Sequence, residues 1–130
     1  MVNIWGRRAF MTVVAIPGLL FTIMGLRWLV DPGGIAPTLG LTLETGLGLS
    51  SQVGDLAAFF LVAGLSTLIA LVTRNRHWYY PPAMLLLIAA TGRLVAWVAH
   101  DAALAVQLIV FEVIVAVLLL TASRLLPEKG

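Results

Sequence analysis

Four apolar runs, separated by short stretches where polar residues, glycine and proline collect, organise the chain. The first covers 9–30 and follows a polar head that holds Trp5, Arg7 and Arg8. It looks like a signal peptide as far as about Phe21, but it continues too far and no small-x-small cleavage site follows it. It is therefore read as a membrane helix that is retained. Pro17-Gly18 near its middle predicts a kink or the close approach of a neighbouring helix. The run stops at Asp31-Pro32-Gly33-Gly34, because proline disfavours helical geometry in the residue before it and the glycines do not hold a helix in water.

The link over 31–50 is long for so small a chain and oddly apolar. Leu39, Leu41 and Leu43 alternate with Gly40, Thr42 and Glu44, and Leu47 and Leu49 alternate with Gly46 and Gly48. A period of two suits a short strand pair or an extended lid on the mouth of a bundle, and the plainer reading is a loop resting its leucines on lipid headgroups. Ser50-Ser51 then caps the second helix, 51–73. Asp55 in its first turn is stabilised by the helix dipole, and the Gly54/Ala58 pair predicts a tight helix contact at that level.

Arg74 to His77 form a polar loop, Trp78-Tyr79-Tyr80 an interfacial aromatic cluster, and Pro81-Pro82 opens the third helix, 82–99. The fourth covers 102–126, with Asp101 as its N-cap. The turn between the last two is short, so they pack as antiparallel neighbours. Along the fourth, Asp101, Ala105, Glu112, Ala116 and Ser123 fall on one stripe, which should face the bundle. The fold class that follows is an all-α integral membrane protein, one antiparallel four-helix transmembrane domain over 1–130.

Composition supports lipid as the solvent. In 130 residues, 61% are hydrophobic and 11% charged, with a mean hydropathy of +1.04, more apolar surface than a soluble domain of this length can bury. A net charge of +2 and a pI near 9.7 do not signal nucleic acid, because the eight basic residues are scattered and most flank the apolar runs. Arg7, Arg8, Arg74, Arg76, Arg124 and Lys129 fall on one side of the expected topology, while Asp31, Glu44, His100 and Asp101 fall on the other. The positive-inside rule then places both termini in the cytoplasm, and a bacterial inner membrane is the expected location. Aromatics agree, with Trp5 and Trp78 to Tyr80 at the inner interface and Trp28 and Trp97 at the outer one. The absence of Cys excludes disulfides and thiolate chemistry.

Candidate chemistry centres on charges inside the bundle. At ~1.5 Å per residue, Arg93 lies about 10 Å below the outer end of the third helix and Glu112 about 16 Å down the fourth. Arg27 lies near the outer end of the first helix and Asp55 one turn below that of the second. Depth pairs Arg93 with Glu112 and Arg27 with Asp55, although Arg27 can snorkel outward. This set either clasps the bundle or, with Trp97 and His100 at the rim, binds a lipid-like or quinone-like molecule with a polar head. Ala89, Ala90, Ala96, Trp97, Ala105 and Ala116 would wall such a pocket, and Arg93 and Glu112 would floor it. The expected function is a non-catalytic one: an accessory subunit of a larger membrane complex, a homo-oligomer, or a binder of a lipophilic molecule. The alternative is a membrane enzyme or redox subunit with Glu112 as acid or base and Arg93 as its electrostatic partner.

No cofactor ligands are evident. His77 and His100 lie at opposite faces, roughly 30 Å apart, and cannot sandwich a haem. Cap and interface roles account for His100, Asp101 and Asp55 without a metal. No hydrolytic triad, phosphate loop or metal-spaced histidine pair is present.

Arg27-Trp28, Pro32, Gly54-Asp55-Leu56-Ala57-Ala58-Phe59, Gly92-Arg93 and Glu112 occur in the order seen in an uncharacterised bacterial family of small four-helix membrane proteins, which this chain resembles over nearly its whole length. It is similar in architecture to the DoxX-like group, whose members include accessory subunits of membrane oxidoreductases; the resemblance implies a partner-bound role. A more distant similarity to the tetraspan sterol-isomerase fold implies intramembrane acids and a His, and no His stands in an apolar run here.

Overall fold

The computed structural model describes residues 3–127. Lys129, counted above among the basic residues, lies outside them. Four helices, α1 (Ile4–Val30), α3 (Gly46–Thr73), α4 (Tyr80–Ala99) and α5 (Val106–Leu125), are long and apolar enough to cross a bilayer. A single turn, α2 (Pro32–Ile35), follows α1 and runs into a 3-10 turn over Ala36–Leu39. A second 3-10 turn, Arg76–Tyr79, precedes α4. No strand occurs among the described residues.

Three of the helices begin earlier than the apolar pattern indicates, α4 by only two residues, at Tyr80. Asn3 caps α1 by accepting the Gly6 N–H at 2.6 Å, so the polar head is already helical. Helix α3 starts at Gly46 rather than at Ser51, which takes Leu47 and Leu49 into the helix and removes the expected strand pair. Alternation of leucine with glycine cannot by itself distinguish a strand from the frayed first turns of a helix, and here no second strand is available to pair with.

Helix α5 begins later than expected. Asp101, just after the His100 C-cap, adopts φ 59°, and the Ala102 N–H reaches back six residues to Ala96 O at 3.1 Å, so the chain closes α4 through a left-handed residue. Asp101 therefore ends α4 instead of capping α5. The chain from Asp101 to Ala105 is irregular, and Ala105 occupies the N-cap position.

Packing makes two helix pairs. Helix α1 lies along α3, and the crossing is close because glycines stand in it: a Cβ at Gly64 would overlap Thr22 Oγ1 and Thr22 N and lie 2.8 Å from Gly18 O. A Cβ at Gly25 would lie 2.6 Å from Leu61 Cγ. Gly18 meets Leu68 and Thr67 in the same way, so the neighbourhood of Pro17 is a site of close helix approach. Helix α1 remains continuous through Pro17. The tight contact expected at Gly54 and Ala58 is absent: both are exposed, and no atom stands within 4 Å of a Cβ at Gly54.

Helices α4 and α5 form the second pair, and α3 joins the two pairs through its contact with α4. Ala57, Ala63, Ala70, Ala83, Ala90, Ala116 and Ala122 are buried at these crossings, where small side chains let backbones approach. The buried Thr67 and Ser123 hydroxyls bond to their own helices, to Ala63 O at 2.8 Å and to Leu120 O at 2.6 Å, so they cost little in an apolar interior. Large aliphatic side chains point outward instead: Ile16, Ile88, Val98 and Ile114 are all more than half exposed. In water such a surface would drive association, and lipid solvates it at no cost.

Both ends of the bundle are tied. At the basal end Arg7 donates to Leu125 O at 3.3 Å and to Leu126 O, so the start of α1 satisfies the last carbonyls of α5. The start of α1 and the end of α5 thus lie together. At the distal end, residues 31–45 fold over the bundle as a lid, with Ile35 and Ala36 buried and Leu39 and Leu41 packed on the core. The Gln52 side chain latches it, accepting from the Glu44 N–H at 2.9 Å and donating to Thr42 O at 3.0 Å.

Candidate functional site

Arg93 and Glu112 meet. Arg93 donates from Nε to Glu112 Oε1 at 2.9 Å and from Nη2 to Oε2 at 3.1 Å, a bidentate pair between α4 and α5. The carboxylate is 6% exposed and the guanidinium side chain 33%. Their level follows from the helix ends: Arg93 stands six residues before Ala99, and Glu112 six residues after Val106. Both are thus about 9 Å from the turn, at ~1.5 Å per residue. Had α5 begun at Ala102, the carboxylate would lie about 6 Å deeper than its partner. The irregular stretch from Asp101 to Ala105 is what levels them.

The pair borders a cavity of about 70 Å³ at the seam between the two helix pairs. Phe21 and Met24 from α1, Leu39 from the lid, Phe59 and Phe60 from α3, Leu86 and Arg93 from α4, and Leu108, Phe111 and Glu112 from α5 line it. Its phenylalanines form a connected group. Phe21 lies 6.0 Å from Phe60 and 5.9 Å from Phe111 between ring centroids, and Phe59 meets Phe60 edge-on at 5.0 Å. The result is an apolar, aromatic chamber with one neutralised ion pair on its wall.

The other expected members of the set stand elsewhere. Arg27 pairs with Asp31 at 3.4 Å, four residues along the chain, and not with Asp55. Asp31 in turn accepts from the Gly34 N–H at 3.3 Å and so caps α2. The Arg27 and Asp31 side chains are 42% and 60% exposed, so this is a surface pair worth little stability. Asp55 is exposed on α3 and makes no ion pair or hydrogen bond among the described residues. The early start of α3 moves it out of the first turn, nine residues past Gly46, and the helix carries it on its exposed face. Trp97 and His100 are exposed and take no part in the cavity.

None of Ala89, Ala90, Ala96, Ala105 and Ala116 lines the cavity either; Ala90 and Ala116 are buried in helix crossings. Sequence reasoning missed Phe21, Phe59, Phe60 and Phe111, and the helical period could not have found them: three stand on other helices than Arg93 and Glu112, and Phe111, next to Glu112, is turned about 100° from it. Trp28, expected at the outer interface, is fully buried, and Tyr79 is nearly so at the opposite end. The Trp28 indole N–H and the Tyr79 hydroxyl have no hydrogen-bond partner among the described residues. No group of three or more His, Cys, Asp and Glu side chains that could hold a metal occurs among the described residues. Compared with protein-family models, curated proteins and solved structures, the chain matches none.

Proposed function

We propose that this protein is a multi-pass binding protein of a bacterial inner membrane that holds a lipophilic molecule in the seam between its helix pairs. The observation that carries the reading is the Arg93–Glu112 pair set into the wall of an aromatic chamber. A pair needed only to clasp two helices is served as well by a closed, filled interface, and an open space beside it suits a guest. Arg7, Arg8, Arg74, Arg76 and Arg124 gather at the end where α1 starts and α5 finishes, while Asp31, Glu44 and Asp101 lie at the lid end. The positive-inside rule then supports cytoplasmic termini and a lid on the outer face.

The chemistry favours holding over converting. Both Glu112 oxygens already accept from Arg93, so protonating Glu112 would discharge the ion pair and weaken both charge-assisted hydrogen bonds. Native mass spectrometry of protein extracted gently from its own membrane, with lipid analysis of what accompanies it, tests the reading. A stoichiometric small lipophile, lost in Arg93→Ala, is the expected result. Migration within a large complex with no small molecule attached overturns it in favour of an accessory subunit.

A further inference from the structure

The unused edge of the Arg93 guanidinium indicates the kind of head group the chamber accepts, and this inference rests on the binding function just proposed. A guanidinium carries five N–H donors in a planar fork. Glu112 takes one from Nε and one from Nη2, along one edge of the plane. The remaining edge, formed by Nη1 and the second Nη2 hydrogen, has no partner among the described residues; Arg93 borders the cavity, and a third of its side chain is open, which leaves this edge at the cavity's mouth. Two parallel donors at the wall of a low-dielectric chamber call for an oxygen acceptor.

Charge decides which acceptor. Arg93 is already neutralised by Glu112, so an acidic head would leave a net negative charge among Phe21, Phe59, Phe60 and Phe111. A neutral carbonyl brings two lone pairs to the fork and adds no charge. Size decides between a ring and a chain. The cavity, at about 70 Å³, is less than half of the roughly 150 Å³ known to admit benzene. It does not enclose a ring bearing two carbonyls, whereas it takes the first few methylenes of an unbranched chain whose remainder lies along the seam.

We infer that the chamber binds a neutral acyl lipid, with an ester carbonyl on the free edge of Arg93, the first methylenes of its chain among the phenylalanines and the rest along the seam. The chain reaches the cavity through the seam, and the ester stays at the level of the ion pair, about 9 Å inside the distal helix ends.

The test uses the full chain in phosphatidylcholine nanodiscs with two photoreactive probes that share one acyl chain, a monoacylglycerol and the corresponding free fatty acid, at alkaline pH where the acid is ionised. Crosslinked peptides are read by mass spectrometry. The expected result is labelling of the cavity residues by the monoacylglycerol at least about tenfold above that by the fatty acid. In Arg93→Lys, which keeps the charge opposite Glu112 but has no second donor edge, the monoacylglycerol signal should fall by a similar factor while helicity and elution volume are retained. Preference for the fatty acid overturns the neutral-head inference and leaves the binding function standing. Monoacylglycerol labelling that is unchanged in Arg93→Lys overturns the role of the free edge. Labelling of the cavity by neither probe, with a small lipophile still accompanying the native protein, overturns the acyl-lipid inference alone; with none accompanying it, the binding function falls as well.

Discussion

Removing either partner of the Arg93–Glu112 pair should destabilise the protein, and the two losses should be unequal in a direction fixed by burial. Breaking a buried ion pair by deleting one member costs about 3–5 kcal/mol, because the survivor keeps its charge in an apolar setting. Arg93→Ala leaves a carboxylate that is 6% exposed and cannot move to water, so the full range applies. Glu112→Ala leaves a guanidinium that is a third exposed, on a long stem that can snorkel toward the distal interface, and the cost falls to roughly 2–3 kcal/mol. Replacing both with Arg93→Met and Glu112→Leu removes the charges together and should recover most of the loss. Glu44→Ala is the control, since Glu44 is exposed and its side chain makes no ion pair among the described residues; a change within about 0.5 kcal/mol is expected. Equilibrium unfolding in mixed micelles, followed by circular dichroism, measures all four variants on one scale. A loss in Glu112→Ala no larger than in Glu44→Ala would refute the reasoning, as would a milder effect for Arg93→Ala than for Glu112→Ala.

The glycines of the α1–α3 crossing give a second expectation: Gly64→Ala and Gly25→Ala should each cost about 1–3 kcal/mol through overpacking, while Gly54→Ala and Gly92→Ala, with no atom within 4 Å of the new Cβ, should be neutral or slightly stabilising. Unfolding midpoints compare them directly. Gln52→Leu removes both latch hydrogen bonds and should weaken the lid locally by roughly 1–2 kcal/mol, read as faster amide exchange at 41–45 with little change in the global midpoint. Arg7→Ala uncaps the end of α5 and should raise exchange over 122–126, with Arg7→Lys in between; unchanged exchange would show that the bond to Leu125 O and Leu126 O does not hold that end.

Hydrophobic length and the helix breakers were enough to place the four long helices, because lipid solvation demands about twenty apolar residues and tolerates few charges. The Arg93–Glu112 pair was legible for a related reason: two opposite charges near one short turn of an antiparallel pair must meet or be stranded. The Arg27–Asp31 pair was legible in principle from its spacing of four, which brings side chains together on one helix face. Depth counting from an assumed helix start obscured it and assigned Asp55 in place of Asp31. The starts themselves were poorly legible. Gly46 to Ser50 can be helix or loop by propensity, and Asp101 serves equally as an N-cap or, in left-handed geometry, as the residue that closes a helix. Which role it takes depends on what the next five residues can pack against, a tertiary question. The aromatic chamber was hidden for the same reason, since phenylalanine in an apolar helix carries no mark of whether it faces lipid or a neighbour.

The turn that levels Arg93 with Glu112 also sets which changes in chain length the protein can absorb. Residues 101–105 follow no helical register, so adding or removing one or two there should leave the ion pair in place. A single residue inserted between Arg93 and Ala99, or between Val106 and Glu112, would turn one partner about 100° around its helix and aim it at lipid. The same insertion is therefore harmless in one stretch and ruinous a few residues away. Natural length variation among proteins of this architecture should accordingly collect in the turn and avoid the six-residue arms on either side of it.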